Sequence, residues 1–223
     1  MGQTVTLTAS DGFKLGGYRA DPAAAPKGAI VVIQEIFGVN SHIRNVCDRL
    51  AKEGYVAIAP AIFDRIEPDF QSGYSPEEVA VARKFVASPD WPAMLRDTQA
   101  AIDAVKDVGP VGIIGFCLGG SVAYAAANKL SGLSAAIGYY GGAIVRFADD
   151  KPTAPTQLHF GEKDSGIPLS DVETIKAKRP EIEVFTYPGA QHGFGCDERA
   201  SYDKASSDLA WQRSLAFFAA HLK

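Results

Sequence analysis

The sequence has no run of about 18 apolar residues, so no stretch of it reads as a membrane-spanning helix. It also lacks a basic cluster. Its 22 Lys and Arg stand against 26 Asp and Glu, for a net charge of −4. That balance leaves no concentrated positive face of the kind a nucleic acid or an anionic membrane needs, and neither is expected as a partner. The opening residues, Met-Gly-Gln-Thr-Val-Thr, have no charged stretch followed by an apolar core, so no secretory signal is expected. Met1, Gly2 and Thr6 fit a loose myristoylation pattern, but Thr4–Thr8 reads better as a strand alternating Val5 and Leu7. Cysteine is scarce. Cys47, Cys117 and Cys196 are odd in number and far apart, which points to free thiols in a reducing, cytoplasmic setting. With the four histidines they form neither C-x-x-C nor H-x-x-x-H spacing, so neither a metal nor another cofactor is expected.

What is present is the composition of a globular chain: 47% hydrophobic and 22% charged over 223 residues. No repeat or linker divides it, and residues 1–223 read as a single domain that needs no partner copy, a monomer. Thr4–Leu7 and Phe13–Tyr18 flank Asp11-Gly12, a hairpin turn signal. Ala29–Ile33 is continuously apolar, as in a strand buried on both faces. Ile43, Val46, Cys47 and Leu50 mark one stripe of a helix, and Tyr55–Ala59 is the next buried strand. Residues 60–76 are irregular, and 76–87 and 92–107 are helical. Val111–Phe116, Leu133–Tyr140, Gln157–Phe160 and Ile182–Tyr187 are further strands. Leu118–Leu130, Pro168–Lys178 and 203–222 are further helices. This alternation predicts an α/β fold, a mostly parallel twisted sheet with helices on both faces. Residues 60–90 are the segment expected to pass over the functional face.

The chemistry concentrates at Val-Gly-Ile-Ile-Gly-Phe-Cys-Leu-Gly-Gly, residues 111–120. Gly-x-Cys-x-Gly between a buried strand and a helix reads as a nucleophile elbow. Its flanking Gly115 and Gly119 avoid clashes that any side chain would make in so sharp a turn. The turn places Cys117 at a helix N-terminus, whose dipole favours a thiolate. A plain glycine-rich turn with a buried cysteine is the alternative.

A thiol nucleophile needs a base, and the base needs an orienting carboxylate. His159 falls inside a strand, His221 lies near the end of the last helix, and His42 precedes the elbow. His192, in the glycine-rich Pro-Gly-Ala-Gln-His-Gly-Phe-Gly segment after a strand, fits best. In Phe-Gly-Glu-Lys-Asp, residues 160–164, Asp164 is the carboxylate, with Glu162 as close competitor and Asp171 a distant one. The order Cys117, Asp164, His192 is that of α/β-hydrolases. Leu118 follows the nucleophile and supplies one oxyanion N–H, and Ile36 in Gln34-Glu35-Ile36-Phe37-Gly38 supplies the other. Glu35 follows a wholly apolar strand. It is expected either to hydrogen-bond the thiol and tune its proton, or to be a structural carboxylate paired with an arginine.

These residues resemble the dienelactone hydrolase family. The likeness rests on Gln-Glu-Ile-Phe-Gly at 34–38, Gly-Phe-Cys-Leu-Gly-Gly at 115–120, Gly-Tyr-Tyr-Gly at 138–141, Gly-x-x-Asp at 161–164 and Gly-x-x-His at 189–192, and it spans nearly the whole chain. The resemblance implies an α/β-hydrolase fold and cofactor-free hydrolysis of enol-lactones such as dienelactone to maleylacetate, in aromatic compound degradation. It also implies a Cys117-His192-Asp164 triad, the motif glutamate at Glu35, and Tyr139, Tyr140 and Phe37 around the pocket of a small lactone or ester. The family's best-known members bind substrate carboxylate through arginines, one of them four residues after the catalytic histidine. That position is Cys196 here, which leaves Arg199 and Arg83 to take the part.

Three other readings use the same cysteine. A class I amidotransferase-like protein wants His-x-Glu, and His192-Gly193-Phe194 has no Glu. A redox sensor or glyoxal-handling protein pairs an elbow Cys with an early Glu, but its histidine follows the Cys closely, and none lies between Cys117 and His159 here. A binding protein with an inert triad would carry an ordinary thiol.

Overall fold

The structure is a computed structural model and describes residues 2–223; Met1, which opens the myristoylation pattern, lies outside them. In chain order the strands are β1 (Gln3–Thr8), β2 (Lys14–Ala20), β3 (Ala29–Ile33), β4 (Val56–Pro60), β5 (Val111–Phe116), β6 (Leu133–Tyr139), β7 (Thr156–Gly161) and β8 (Glu183–Tyr187). The helices are α1 (Ser41–Lys52), α2 (Pro76–Phe85), α3 (Trp91–Asp103), α4 (Leu118–Lys129), α5 (Ile144–Phe147), α6 (Leu169–Lys178) and α7 (Lys204–His221). The strands form one sheet in the order β1-β2-β4-β3-β5-β6-β7-β8. β1 and β2 pair antiparallel, as do β2 and β4, and every pairing from β4 through β8 is parallel. This is the sheet of the α/β-hydrolase fold.

Local signals place the elements. The first hairpin turns at Gly12, whose φ of 83° suits glycine, and Ala9 and Phe13 close it with an Ala9 N–H to Phe13 O bond of 2.9 Å. Asn40 caps α1, Ser75 and Glu78 form a capping box on α2, and Asp90 caps α3. The strand period of two then divides β3 between two cores. Ala29, Val31 and Ile33 face one core with Met94, Ala101 and Ile102 of α3 and Val122, Ala123 and Ala126 of α4. Ile30 and Val32 face the other, with Ile43, Val46, Cys47 and Leu50 of α1 and Phe217 and Phe218 of α7. A strand covered on both sides has no polar face, which is why it reads as an unbroken apolar run.

The departures from expectation are local. The helix expected over 92–107 ends at Asp103 and gives way to a 3-10 turn at Lys106–Val108. The strand expected through Tyr140 stops at Tyr139, because Tyr140 has φ 37° and leaves the extended region. The short helix α5 carries no periodic signal and is not expected from the sequence.

Candidate active site

Cys117 alone joins β5 to α4, at φ 55° and ψ −116°. Such a non-glycine conformation costs about 1–3 kcal/mol and persists only where its surroundings hold it. Here Cys117 N–H donates to Tyr139 O at 3.0 Å, and Gly120 N–H donates to Cys117 O at 3.1 Å. The glycine requirement is steric. A Cβ on Gly115 would lie 1.9 Å from Gly119 O, and one on Gly119 would lie 2.3 Å from Ile33 O. The turn therefore brings helix and strand together at a distance no side chain survives, and the sulfur stands at the C-terminal edge of the sheet.

The loops after β7 and β8 meet it there. His192 Nε2 lies 3.1 Å from Cys117 Sγ, and His192 Nδ1 lies 2.7 Å from Asp164 Oδ2. The Asp164 side chain is fully buried, and its Oδ1 accepts from Gly166 N–H at 2.8 Å. Glu162, its competitor, instead accepts from the Thr186 hydroxyl at 3.0 Å, and Asp171 sits in the first turn of α6. Of the remaining histidines, His42 and His159 are buried and His221 packs on Phe217. Burial disfavours the His192 imidazolium, but the Cys117 sulfur and the Asp164 carboxylate outweigh it and push His192 up to about 10.

Cys117, His192, Ile36 and Leu118 line one cavity of about 420 Å³, and Val86, Pro89, Trp91, Arg146 and Ile167 are among its other wall residues. Among the described residues the Ile36 and Leu118 amides donate to no protein acceptor, which leaves both N–H groups for a ligand. A second cavity of about 390 Å³ meets the first at His192 and is also lined by Arg83, Lys163, Asp164 and Arg199. The 60–90 segment thus delivers Arg83, Val86 and Pro89 to the functional face. Trp91, Arg146 and Ile167 are wall residues that sequence reasoning misses. Arg146 rides on α5, which has no sequence signature, and an apolar or aromatic residue beside a loop carries no signal that separates a wall from a core.

Three expected neighbours of the substrate, Phe37, Tyr139 and Tyr140, sit elsewhere, and Glu35 takes the second of its two expected parts, a carboxylate paired with an arginine. Glu35 makes no bond to the thiol. Its Oε1 accepts from Arg199 Nη1 at 3.0 Å, because the loop carrying Arg199 folds over it. Gly193 permits this approach, since a Cβ there would lie 2.5 Å from Arg199 Nη1. Phe37, Tyr139 and Tyr140 are buried beneath the site and do not line either cavity. Phe37 lies under the Arg199 guanidinium, and Tyr139 donates to or accepts from Ser214 Oγ at 2.8 Å. Tyr140 packs against the His192 ring at 5.1 Å. Large aromatics at the end of a strand supply packing area that the site stands on. The fold also gathers Glu35, His42 and Cys196, all buried, with donor atoms within 4.8 Å of one another. Sequence spacing, which gave no expectation of a metal, does not register a group assembled from the loop after β3, the first turn of α1 and the loop after β8.

Comparison with known proteins agrees with this architecture. The dienelactone hydrolase family pattern matches residues 15–222. A relative from Synechocystis sp. is 40% identical over 240 residues, covering 99% of this chain and 97% of its own length. The carboxymethylenebutenolidase of Pseudomonas putida is 31% identical over 228 residues, covering 96% of this chain and 95% of its own. A crystal structure from Klebsiella pneumoniae, assigned as a dienelactone hydrolase, superposes with a TM-score of 0.85 at 32% identity, covering 98% of this chain and 99% of that one. The chain belongs to the dienelactone hydrolase family and is a hydrolase of ester or lactone bonds.

Proposed function

We propose that the chain hydrolyses enol-lactones and activated carboxylic esters through Cys117 as nucleophile, with dienelactone to maleylacetate as the type reaction and aromatic compound degradation as its setting. The observation that carries this reading is the line Asp164–His192–Cys117, at 2.7 and 3.1 Å, opening on the paired amides of Ile36 and Leu118.

The attacking species is the thiolate, with the His192 imidazolium as its counter-charge. The sulfur adds to the carbonyl carbon, and the Ile36 and Leu118 N–H groups receive the oxyanion. On collapse the C–O bond of the ester breaks. The leaving enolate takes the His192 proton and a thioester to Cys117 remains. The imidazole, now neutral, removes a proton from water, and the hydroxide adds to the thioester. Cys117 then leaves as thiolate beside a protonated His192, which restores the starting pair. Asp164 holds Nδ1 throughout and fixes which nitrogen faces the sulfur. An enolate is a stable leaving group, which favours enol-lactones over simple alkyl esters. The steps use no cofactor and no second copy of the chain, and free thiols suit a reducing compartment.

Arg83, Lys163 and Arg199 make the second cavity cationic, and a carboxylate on the substrate fits beside His192 there. Arg199 approaches from three positions beyond Cys196 and has Glu35 as its resting partner.

The test is hydrolysis of cis- and trans-dienelactone, p-nitrophenyl acetate and an uncharged enol-lactone by wild type and Cys117→Ala. Thiol-dependent turnover of dienelactone supports the full reading. Turnover of neutral esters alone keeps the nucleophile and discards the carboxylate. Absence of thiol-dependent turnover, with Cys117 oxidised at low peroxide, moves the protein to the sensor reading.

A further inference from the structure

We propose that Glu35, His42 and Cys196 form a buried binding site for a divalent transition-metal cation of the zinc type, behind Arg199 and separate from the Cys117–His192 pair.

The three side chains come from the loop after β3, the first turn of α1 and the loop after His192. Their donor atoms lie within 4.8 Å of one another, a spread that a contraction of about 1 Å brings to the edge lengths of a tetrahedral zinc site. One nitrogen, one sulfur and one carboxylate oxygen is a donor set that zinc accepts and that calcium or magnesium does not. The residues are 1%, 2% and 0% exposed. A second observation points to a ligand. Glu35 Oε2, His42 Nε2 and the Tyr140 hydroxyl are all buried without a hydrogen-bond partner. Tyr140 also lies close enough to Glu35 and Cys196 to feel their charges. Orphaned polar atoms converging at this density are uncommon in a folded protein, and each costs about 1–3 kcal/mol.

The surroundings suit a ligand shell. Asp197 Oδ1 lies 3.7 Å from His42 Nδ1, too far for a hydrogen bond, but its negative charge favours the proton on Nδ1 and so leaves the Nε2 lone pair as the metal donor. The Cys196 thiol donates to the Tyr74 hydroxyl at 3.3 Å, which holds the sulfur in place. Binding replaces the thiol proton, which passes to solvent. One thiolate, one carboxylate and a neutral imidazole then balance the two positive charges, with water as the fourth ligand. Glu35 takes the metal through its unpartnered Oε2 and keeps Oε1 on Arg199. The site stands or falls independently of the role given to Cys117.

The probe is Co²⁺, titrated into metal-free full-length protein carrying Cys117→Ser, so that the elbow thiol cannot contribute. Cys47 is buried in the α1 face of the core. The expected result is one equivalent bound with a thiolate-to-cobalt charge-transfer absorption, displaced by one equivalent of Zn²⁺. Adding Cys196→Ser abolishes the absorption. His42→Gln, which keeps the thiol, weakens Co²⁺ binding about tenfold or more. Absence of the absorption in Cys117→Ser, or its survival in the Cys117→Ser, Cys196→Ser protein, overturns the proposal. An absorption seen only when Cys117 is present places the metal on the Cys117–His192 pair and also overturns it. Circular dichroism verifies the fold of each variant. Should Cys196→Ser not fold, unchanged affinity in His42→Gln is the overturning result.

Discussion

Arg199 Nη1 donates to Glu35 Oε1 at 3.0 Å, joining residues 164 positions apart and tying the loop that follows β3 to the loop that carries His192. The Ser41 hydroxyl, donating to Glu198 Oε2 at 2.7 Å, ties the start of α1 to the same loop. Glu35 is 1% exposed, so its charge depends on Arg199 for compensation.

Arg199→Ala is therefore expected to destabilise the protein by about 3 kcal/mol, because it leaves a buried carboxylate unpaired. Glu35→Gln is expected to cost less, since the amide carries no charge. The double variant Glu35→Gln, Arg199→Ala recovers part of the loss. Urea unfolding of the four proteins measures the coupling.

Asp164→Asn should leave the fold intact and lower kcat by about 10²–10⁴-fold, with KM changing little. The amide no longer selects the tautomer that presents Nε2 to the sulfur. Steady-state rates on p-nitrophenyl acetate read the effect. A variant with wild-type kcat would remove Asp164 from the reaction.

The elbow glycines predict a graded series. Gly115→Ala places a Cβ 1.9 Å from backbone oxygen and should cost more than about 3 kcal/mol along with activity. Gly12→Ala, with φ 83° but no atom within 4 Å, meets only backbone strain of about 1 kcal/mol. Thermal midpoints of the two variants separate packing from strain.

His159 gives the pH dependence of stability. Its ring is fully buried, sharing hydrogen bonds with Tyr187 Oη at 2.8 Å and Gln157 Oε1 at 2.9 Å. Burial, with the Arg213 charge, pulls it down to about 3. Below the unfolded value of about 6.5 the unfolded chain takes up a proton that the folded chain refuses. Unfolding free energy should therefore fall by about 1.4 kcal/mol per pH unit below pH 6.5, levelling near pH 3. His192, raised to about 10, is protonated in both states over that range and adds nothing to the slope. Its own stabilisation is complete below pH 6.5 and is lost between there and pH 10. Urea titrations between pH 6.5 and 4.5 should show His159→Gln shallower than wild type by one proton.

Arg83→Gln is expected to raise KM for dienelactone about tenfold and to leave p-nitrophenyl acetate unchanged, since only the former carries a carboxylate for the second cavity. Equal effects on both substrates would argue against anion recognition there.

The sequence alone determined the sheet and the elbow. Unbroken apolar strands such as Ala29–Ile33 and the one-stripe helix at Ile43–Leu50 follow from burial on two faces and on one, and these patterns are local. Gly115 marks Cys117 for the same reason, because the clash it avoids is with Gly119, four residues along the chain, whereas Gly119 avoids the backbone of Ile33 on the neighbouring strand and is read from the motif. His192 and Asp164 were legible because each follows directly on a strand end. The tertiary structure alone decided what Glu35 touches, since Arg199 comes to it from across the chain. It decided that Phe37, Tyr139 and Tyr140 lie under the site, because strand-end aromatics look alike whether they face a cavity or a core. It also decided that Arg146, Trp91 and Ile167 form cavity walls, and that Glu35, His42 and Cys196 share one place. Local patterns carry periodicity and sterics, whereas contacts between loops depend on how the whole sheet twists and where its C-terminal edge gathers them.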